Sequence, residues 1–148
     1  MPQSLSAVFV HLVFSTKDRR PFLKEKSLRE EAHAYIGAVS GRLDCPSMIV
    51  GGVEDHVHIL AQLGRSRSQA DWAKELKRVS SLWLGEKIPG FHWQSGYGVF
   101  SVGTAEIEAV RRYVENQEEH HRRYSFQDEL RSLLKEHGRA WDERYLWD

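Results

Sequence analysis

The sequence predicts an α+β domain with a ferredoxin-like βαββαβ core, an antiparallel sheet and additional C-terminal helices. Alternating apolar residues mark strands at 7–15, 47–53, 56–63 and 97–102, since successive side chains of a strand point to opposite faces. Apolar residues at three-to-four spacing mark helices at 24–43 and 68–84, between the strands. This order of elements is that of the split βαβ arrangement.

The first strand and the first helix each carry one apolar stripe. In the strand, His11 faces away from the side formed by Val8, Val10, Leu12 and Phe14. His11 is therefore predicted to lie on the face opposite this stripe, where it is more plausibly a structural histidine than a ligand. The helix carries its stripe on Leu28, Ala32, Tyr35, Ile36 and Val39.

A hairpin follows, in which residues 54–55 form a tight turn and the third strand carries two histidines. Val57, Ile59, Ala61 and Leu63 alternate with His56, His58 and Gln62. His56 and His58 therefore share the face away from the core. Two imidazoles at this spacing can bind one cation, but the pair alone is more typical of half-buried histidines hydrogen-bonded to their neighbours.

The next helix is predicted to begin at Ser68 as its N-cap and to bury Trp72, Leu76, Val79 and Trp83. After the fourth strand, residues 104–121 and 126–137 read as two more helices, and an aromatic tail covers residues 141–147. Thr104 is the predicted N-cap of the first of these helices, and His120 and His121 at its other end are read as capping its C-terminus rather than as DNA contacts. Domain organisation is predicted as a single unit over residues 1–148, with the core in 1–103 and the helical addition in 104–148.

Tyr113 and Gln117 lie four residues apart on the predicted helix 104–121, so both point the same way. A phenol and an amide oxygen on one helical face, together with two imidazoles on a strand, are suited to nucleophilic attack on a phosphate. Tyr124 and Tyr145 are weaker candidates for the nucleophile, since neither has a glutamine four residues later on a helix.

Composition limits the class of protein more than it identifies the function. A chain of 148 residues with 41% hydrophobic content is enough for one core. No apolar run is long enough for a membrane span, and no signal peptide is recognisable. A single cysteine, Cys45, read as a small buried side chain, makes the reducing cytoplasm the expected location and gives no reason to expect a membrane partner.

The net charge does not argue for a nucleic-acid partner, because 21 basic side chains balance 21 acidic ones. The balance is uneven along the chain: residues 1–103 carry 13 basic and 10 acidic side chains, and residues 104–148 carry 8 and 11. The region around the second helix is locally basic. Such a patch can follow a phosphate backbone, although an ordinary solvated helix face has the same composition.

The ordered set of motifs resembles the single-tyrosine HUH transposases of bacterial insertion sequences, including the relatives associated with repetitive extragenic palindromes. His56-Val57-His58 and the later Tyr113-x-x-x-Gln117 carry the resemblance. Further segments resemble the family's opening strand and basic turn, its middle helix and the run before its last strand: residues 9–14, 16–21, 76–81 and 91–98.

The resemblance implies a catalytic Tyr113 and a Mg²⁺ or Mn²⁺ ion held by His56, His58 and Gln117. Attack by Tyr113 on single-stranded DNA next to a hairpin would give a 5′-phosphotyrosine. The covalent link to the tyrosine retains the phosphodiester, so a 3′-hydroxyl can reverse the reaction and no nucleotide cofactor is expected. The resemblance also implies a homodimer, in which the nucleophile acts in its own protomer or in the partner. The predicted DNA contacts are Lys17, Arg19, Arg20, Arg65, Arg67, Lys77 and Arg78.

Two other functions stay open at this point. One is a domesticated protein of the same fold that binds DNA hairpins without cleaving them. The other is a small phosphohydrolase of the histidine-triad type, which would need a third histidine where the chain has Leu60. The intact set of His56, His58, Tyr113 and Gln117 favours the transposase over both.

Overall fold

The computed structural model describes residues 2–148. Its four strands form one antiparallel sheet in the order β2-β3-β1-β4. The strands are β1 (Phe9–Ser15), β2 (Ser47–Val53), β3 (His56–Gln62) and β4 (Gly98–Val102). Helix α1 (Lys26–Arg42) connects β1 to β2, and α2 (Gln69–Lys87) connects β3 to β4. The predicted ferredoxin-like fold is confirmed, including the central place of β3.

The main hydrophobic core lies between one face of the sheet and helices α1 and α2. The alternation predicted for β1 and β3 is confirmed, since Leu12, Phe14, Val57 and Ile59 all point into this core and are fully buried. Trp72 anchors α2 in the core, and its indole N–H donates to the Ser40 hydroxyl of α1 at 2.9 Å. Ser68 caps α2 as predicted, accepting from the Asp71 N–H at 3.0 Å.

The opposite face of the sheet is covered by the C-terminal helices. These are α3 (Ile107–Glu115), α4 (Gln117–His120), α5 (Phe126–Glu136) and α6 (Glu143–Leu146). A second, smaller core forms here from residues of the sheet and of α5: Val13, Phe100, Phe126, Leu130 and Leu133. Among residues 2–148, no helix is both long and apolar enough to span a membrane.

The continuous helix predicted over residues 104–121 is wrong in two places. Thr104 is not its N-cap; a 3₁₀ turn (Thr104–Glu106) comes first, and the Glu106 carboxylate accepts from the Gly103 N–H at 3.2 Å. The helix is also interrupted at Asn116, whose φ of −95° and ψ of 23° end α3 before α4 begins. Asparagine favours such points because its side chain competes with the helical backbone.

Close packing of α3 on β2 fixes the position of the interrupted helix. A Cβ at Gly51 of β2 would lie 2.6 Å from the Val114 carbonyl oxygen, so only glycine allows this approach. Val114 is itself buried. The neighbouring residues Tyr113 and Gln117 are thereby held over the face of the sheet that carries the histidines.

Candidate active site

The two histidines of β3 lie side by side and fully buried on the face of the sheet covered by α3 to α5. Their ring centroids are 5.1 Å apart, and neither side chain has exposed surface. Strand β1 pairs with this part of β3, placing Ser15 opposite His56 and Val13 opposite His58. The shared face predicted from the alternation of β3 is therefore confirmed.

Each of these histidines has a hydrogen-bond partner on its Nδ1 atom. His56 Nδ1 lies 2.7 Å from Asp55 Oδ1, and His58 Nδ1 lies 2.7 Å from His11 Nε2. His11, predicted to lie on the face of β1 opposite the apolar stripe, thus reaches the histidine pair from the neighbouring strand. Partners on Nδ1 leave both Nε2 atoms directed at the space below α3 and α5, the arrangement found where histidines bind a metal.

Tyr113 and Gln117 both reach this space. Gln117 is buried, and its Oε1 lies 3.2 Å from His56 Nε2. Its amide nitrogen also lies 3.4 Å from the Tyr113 carbonyl, in the last turn of α3. The Tyr113 ring stands edge-on to His58 with centroids 5.7 Å apart. The structure thus brings together all four residues predicted for catalysis and metal binding, within one chain.

Glu129 of α5 lies at the centre of the site, although it is not among the residues predicted from the sequence. Its Oε2 accepts hydrogen bonds from the Tyr113 hydroxyl and, at 3.1 Å, from Gln117 Nε2. Its Oε1 faces three imidazoles, those of His56, His58 and His121. A sequence signal existed, since Glu129 interrupts the apolar stripe formed by Phe126, Leu130 and Leu133 on α5.

His121 was also missed, having been read as a cap at the end of a helix. It follows Gln117 by four residues, and Gln117 follows Tyr113 by four, so the spacing itself predicted a shared face. His56, His58, His121 and Glu129 each present one ligand atom, and these atoms all lie within 4.8 Å of one another. Imidazole nitrogens and a carboxylate oxygen are a donor set that fits a divalent cation.

Burial and the neighbouring charges shift the pKa values of these groups in opposite directions. Burial lowers the pKa of His56, but hydrogen bonds to Asp55 and Glu129 outweigh it and raise the pKa to about 9. Burial and the neighbouring His58 lower the pKa of His11 to about 3. Burial opposes ionisation of Glu129, yet the charge of His58 and hydrogen bonds from His121 hold its pKa well below the usual range. Glu129 is therefore a carboxylate in the folded protein.

The Tyr113 hydroxyl is held in its protonated form. Burial and the negative charge of Glu129 both raise the pKa of this phenol. A cavity of about 680 Å³ opens beside it. This cavity reaches from His11 and Phe100 on the sheet to Tyr124 and Glu136 on the helical side. The nucleophile predicted from the sequence is thus accessible from one side, while the histidines behind it are not.

The predicted DNA contacts lie outside this cluster. Lys17, Arg19 and Arg20 belong to the turn after β1. That turn reaches the histidine end of β3, because the Thr16 N–H donates to the Asp55 carbonyl at 2.8 Å. The guanidinium of Arg19 stacks on the Trp147 ring, 5.5 Å from its centroid.

The remaining predicted contacts are Arg65 and Arg67, just before α2, and Lys77 and Arg78 on the helix itself. Arg67 and Arg78 form exposed ion pairs with Asp71 and Glu75. Lys77 is different, because its ammonium donates to the backbone carbonyls of Gln94, Ser95 and Gly96. Helix α2 packs against the sheet face opposite the histidines.

Comparison with known proteins gives the family. A family model described as "Transposase IS200 like" matches residues 4–117, so this chain belongs to the IS200-like transposase family. A search of curated proteins gave no match.

Two solved structures share the fold. One is a protein assigned as a transposase from Deinococcus radiodurans R1, with a TM-score of 0.62 and 20% identity over 79% of this chain and 98% of that one. The other is a REP-associated tyrosine transposase bound to a REP hairpin, with a TM-score of 0.55 and 13% identity over 79% of this chain and 68% of that one.

Proposed function

We propose that this protein cleaves and rejoins single-stranded DNA through a covalent 5′-phosphotyrosine at Tyr113. The observation that supports this most directly is the convergence of Tyr113 and Gln117, from the helical layer, on His56 and His58 of the sheet. Residues separated by more than fifty positions meet at one point, and each has the chemistry that the reaction requires. Membership of the transposase family supports the same class of reaction.

His56, His58 and Gln117 would hold a divalent cation, which neutralises charge on the scissile phosphate. The Tyr113 oxygen attacks phosphorus, the bond from phosphorus to the 3′-oxygen breaks, and a 3′-hydroxyl is released. The phenol proton leaves along the hydrogen bond to Glu129, and the departing 3′-oxygen takes up a proton. In the reverse direction a strand's 3′-hydroxyl attacks the phosphotyrosine and restores Tyr113, so strand transfer needs no nucleotide cofactor.

The chemistry of the ligands favours manganese over magnesium in the free protein. Imidazole nitrogens suit Mn²⁺ better than Mg²⁺, which prefers an all-oxygen shell. Both ions are compatible with the proposed reaction once phosphate oxygens are added. We therefore expect Mn²⁺ to bind the DNA-free protein more tightly than Mg²⁺, and calorimetric titration with each ion checks this.

The proposed substrate is a DNA hairpin with an unpaired strand beside it. The REP-associated transposase that shares this fold is bound to a REP hairpin. In this chain, the turn carrying Lys17, Arg19 and Arg20 adjoins the histidine end of β3, which supports contacts from these side chains to phosphates near the site. Arg65, Arg67, Lys77 and Arg78 are the proposed contacts to the stem. Loss of one phosphate contact should reduce the salt dependence of binding by about one unit.

The test is denaturing electrophoresis of labelled hairpin oligonucleotides incubated with protein and Mn²⁺. The native protein should give a DNA adduct of protein size, and Tyr113→Phe should bind DNA without forming it. Tyr124→Phe is the matched control, since Tyr124 is 54% exposed at the rim of the same cavity. An adduct from Tyr113→Phe would transfer the role of nucleophile to Tyr124.

A non-catalytic hairpin-binding protein is the second candidate function. It is favoured by the complete burial of His56 and His58, which gives a DNA strand no direct access to them. This candidate predicts tight binding of hairpins and no adduct with any hairpin near the gene. Native protein that binds but never forms an adduct would establish it in place of the transferase.

The proposed assembly is a homodimer, as the family resemblance implies. Sedimentation of the full chain at micromolar concentration tests it. A single species with the 17.2 kDa mass of one chain would contradict it.

A further inference from the structure

We propose that Glu129 and His121 are ligands of the same cation, completing the set of His56, His58 and Gln117. This inference rests on the proposed function only for the presence of a cation, and it does not require that the protein cleave DNA. Glu129 Oε1 lies 2.9 Å from His58 Nε2, 3.1 Å from His56 Nε2 and 3.1 Å from His121 Nε2. One carboxylate oxygen therefore faces three imidazole nitrogens at nearly equal distances.

These distances match the spacing of atoms that share a metal ion. Metal bonds of about 2.1 Å place neighbouring ligand atoms about 3.0 to 3.4 Å apart, in octahedral and tetrahedral geometry respectively. The two distances of 3.1 Å from Glu129 Oε1, to His56 and His121, lie within this range, and the 2.9 Å to His58 lies just below it. The 3.2 Å between Gln117 Oε1 and His56 Nε2 lies within it. Small movements of side chains are enough to admit the ion.

His121 is oriented in the same way as the two histidines of the sheet. Its Nδ1 lies 2.6 Å from the Tyr124 carbonyl oxygen, which leaves Nε2 directed at Glu129. All three imidazoles thus use Nδ1 for a protein partner and present Nε2 to a common point. Partners of this kind fix the tautomer of a ligating histidine, so the free lone pair is on the nitrogen that faces the ion.

Helix α5 holds Glu129 in its position. Ser125 caps this helix, accepting from the Asp128 N–H at 3.1 Å, and Phe126 and Leu130 pack against Val13 of the sheet. The Glu129 side chain is only 1% exposed. A carboxylate at that depth is costly unless cationic or hydrogen-bonding groups surround it, and a bound cation meets this requirement.

The second carboxylate oxygen connects the ion to the nucleophile. Oε2 accepts from the Tyr113 hydroxyl while Oε1 faces the histidines. Glu129 is therefore also a positioning residue, which holds the Tyr113 oxygen beside the cation. Both His121 and Glu129 lie beyond residue 117, where the match to the family model ends.

The test is calorimetric titration of the full chain with MnCl₂ at constant pH. Glu129→Gln keeps the size of the side chain but replaces the anionic oxygen, and His121→Ala removes one nitrogen. Each should weaken Mn²⁺ binding about ten-fold or more. Asp128→Asn and His137→Ala are matched controls in or next to the same helix, outside the cluster of ligand atoms, and should bind as the native protein does. Affinities of both test variants within two-fold of the native value would overturn the inference.

A second measurement on native protein removes any dependence on how the variants fold. Electron spin-echo spectroscopy of bound Mn²⁺ counts the coupled imidazole nitrogens, and we expect three. A count of two overturns the role of His121. If the proposed function fails while this inference holds, the result is different: Mn²⁺ binding depends on Glu129 and His121, but no DNA adduct forms.

Discussion

His11 Nε2 and His58 Nδ1 are 2.7 Å apart, and both side chains are buried. Burial and the charge of His58 lower the pKa of His11 to about 3, so its ring is neutral at physiological pH. Without a metal, His58 Nε2 can only donate to the Glu129 carboxylate. With a cation bound in its place, a neutral His11 can accept from His58 Nδ1–H, which leaves the Nε2 lone pair for the cation. His11 therefore sets the tautomer of a proposed metal ligand from the neighbouring strand.

His11→Phe should weaken Mn²⁺ binding about 10- to 100-fold, the usual effect of removing the partner of a ligating histidine. Phenylalanine keeps an aromatic ring beside Phe100 but removes the acceptor for His58. Calorimetric titration with Mn²⁺ measures the change. His92→Phe, at an exposed position, is the control. An unchanged affinity in His11→Phe would show that His58 does not depend on this hydrogen bond.

The metal-free protein should lose stability as the pH falls from 6.5 to 4, and His33 should contribute to the loss. Burial, with the charge of Arg29 nearby, lowers the pKa of His33 to about 4. Between these values the unfolded chain binds a proton at this position and the folded chain does not. The free energy of unfolding therefore falls by about 1.4 kcal/mol per pH unit from this residue.

His33→Gln should remove that share of the slope. Urea unfolding in the presence of a chelator, at several pH values between 4 and 7, gives the slope for each variant. His92→Gln is the control, because His92 is exposed. A slope in His33→Gln equal to that of the native protein would contradict the buried, neutral state of His33.

The strands of the sheet could be predicted from the sequence because the alternation that marks a strand lies within a few consecutive residues. In β3, strict alternation assigns Val57 and Ile59 to one face and His56 and His58 to the other, and the structure agrees. Helical spacing predicted that Tyr113 and Gln117 point the same way, and only the family resemblance predicted that they meet the histidines of this face. The break at Asn116 did not follow, because apolar periodicity does not report the backbone angles of a single residue.

Glu129 could not be placed because its contacts are distant in the chain. It lies 71 residues from His58 and 16 from Tyr113. Only the docking of α5 on Val13 and Phe100 brings it to the histidines. His121 is a different case, because its spacing from Gln117 was visible and was assigned instead to the end of a helix. Because capping already accounted for His121, its contact with Glu129 was not predicted.

Lys77→Met should lower the free energy of unfolding by about 1–3 kcal/mol. Its ammonium donates to three consecutive backbone carbonyls, at residues 94 to 96, and so fixes the segment before β4. Methionine keeps the apolar part of the side chain and loses all three bonds. Lys74→Met, one turn earlier and exposed on α2, should change stability by less than about 0.5 kcal/mol. Chemical unfolding of both variants gives the comparison, and equal stabilities would contradict a structural role for Lys77.

Complementation between inactive variants tests whether Tyr113 acts in its own protomer. Within one chain, Tyr113 is hydrogen-bonded to Glu129, which also contacts His56 and His58. If each chain contains a complete site, a mixture of His56→Ala and Tyr113→Phe proteins has no intact site, because every protomer lacks one of the two residues. We therefore expect the mixture to form no DNA adduct above the sum of the separate variants, whereas native protein at the same concentration does. An adduct restored by mixing would show that the tyrosine of one protomer serves the histidines of another, and would place α3 in an exchanged position in the active assembly.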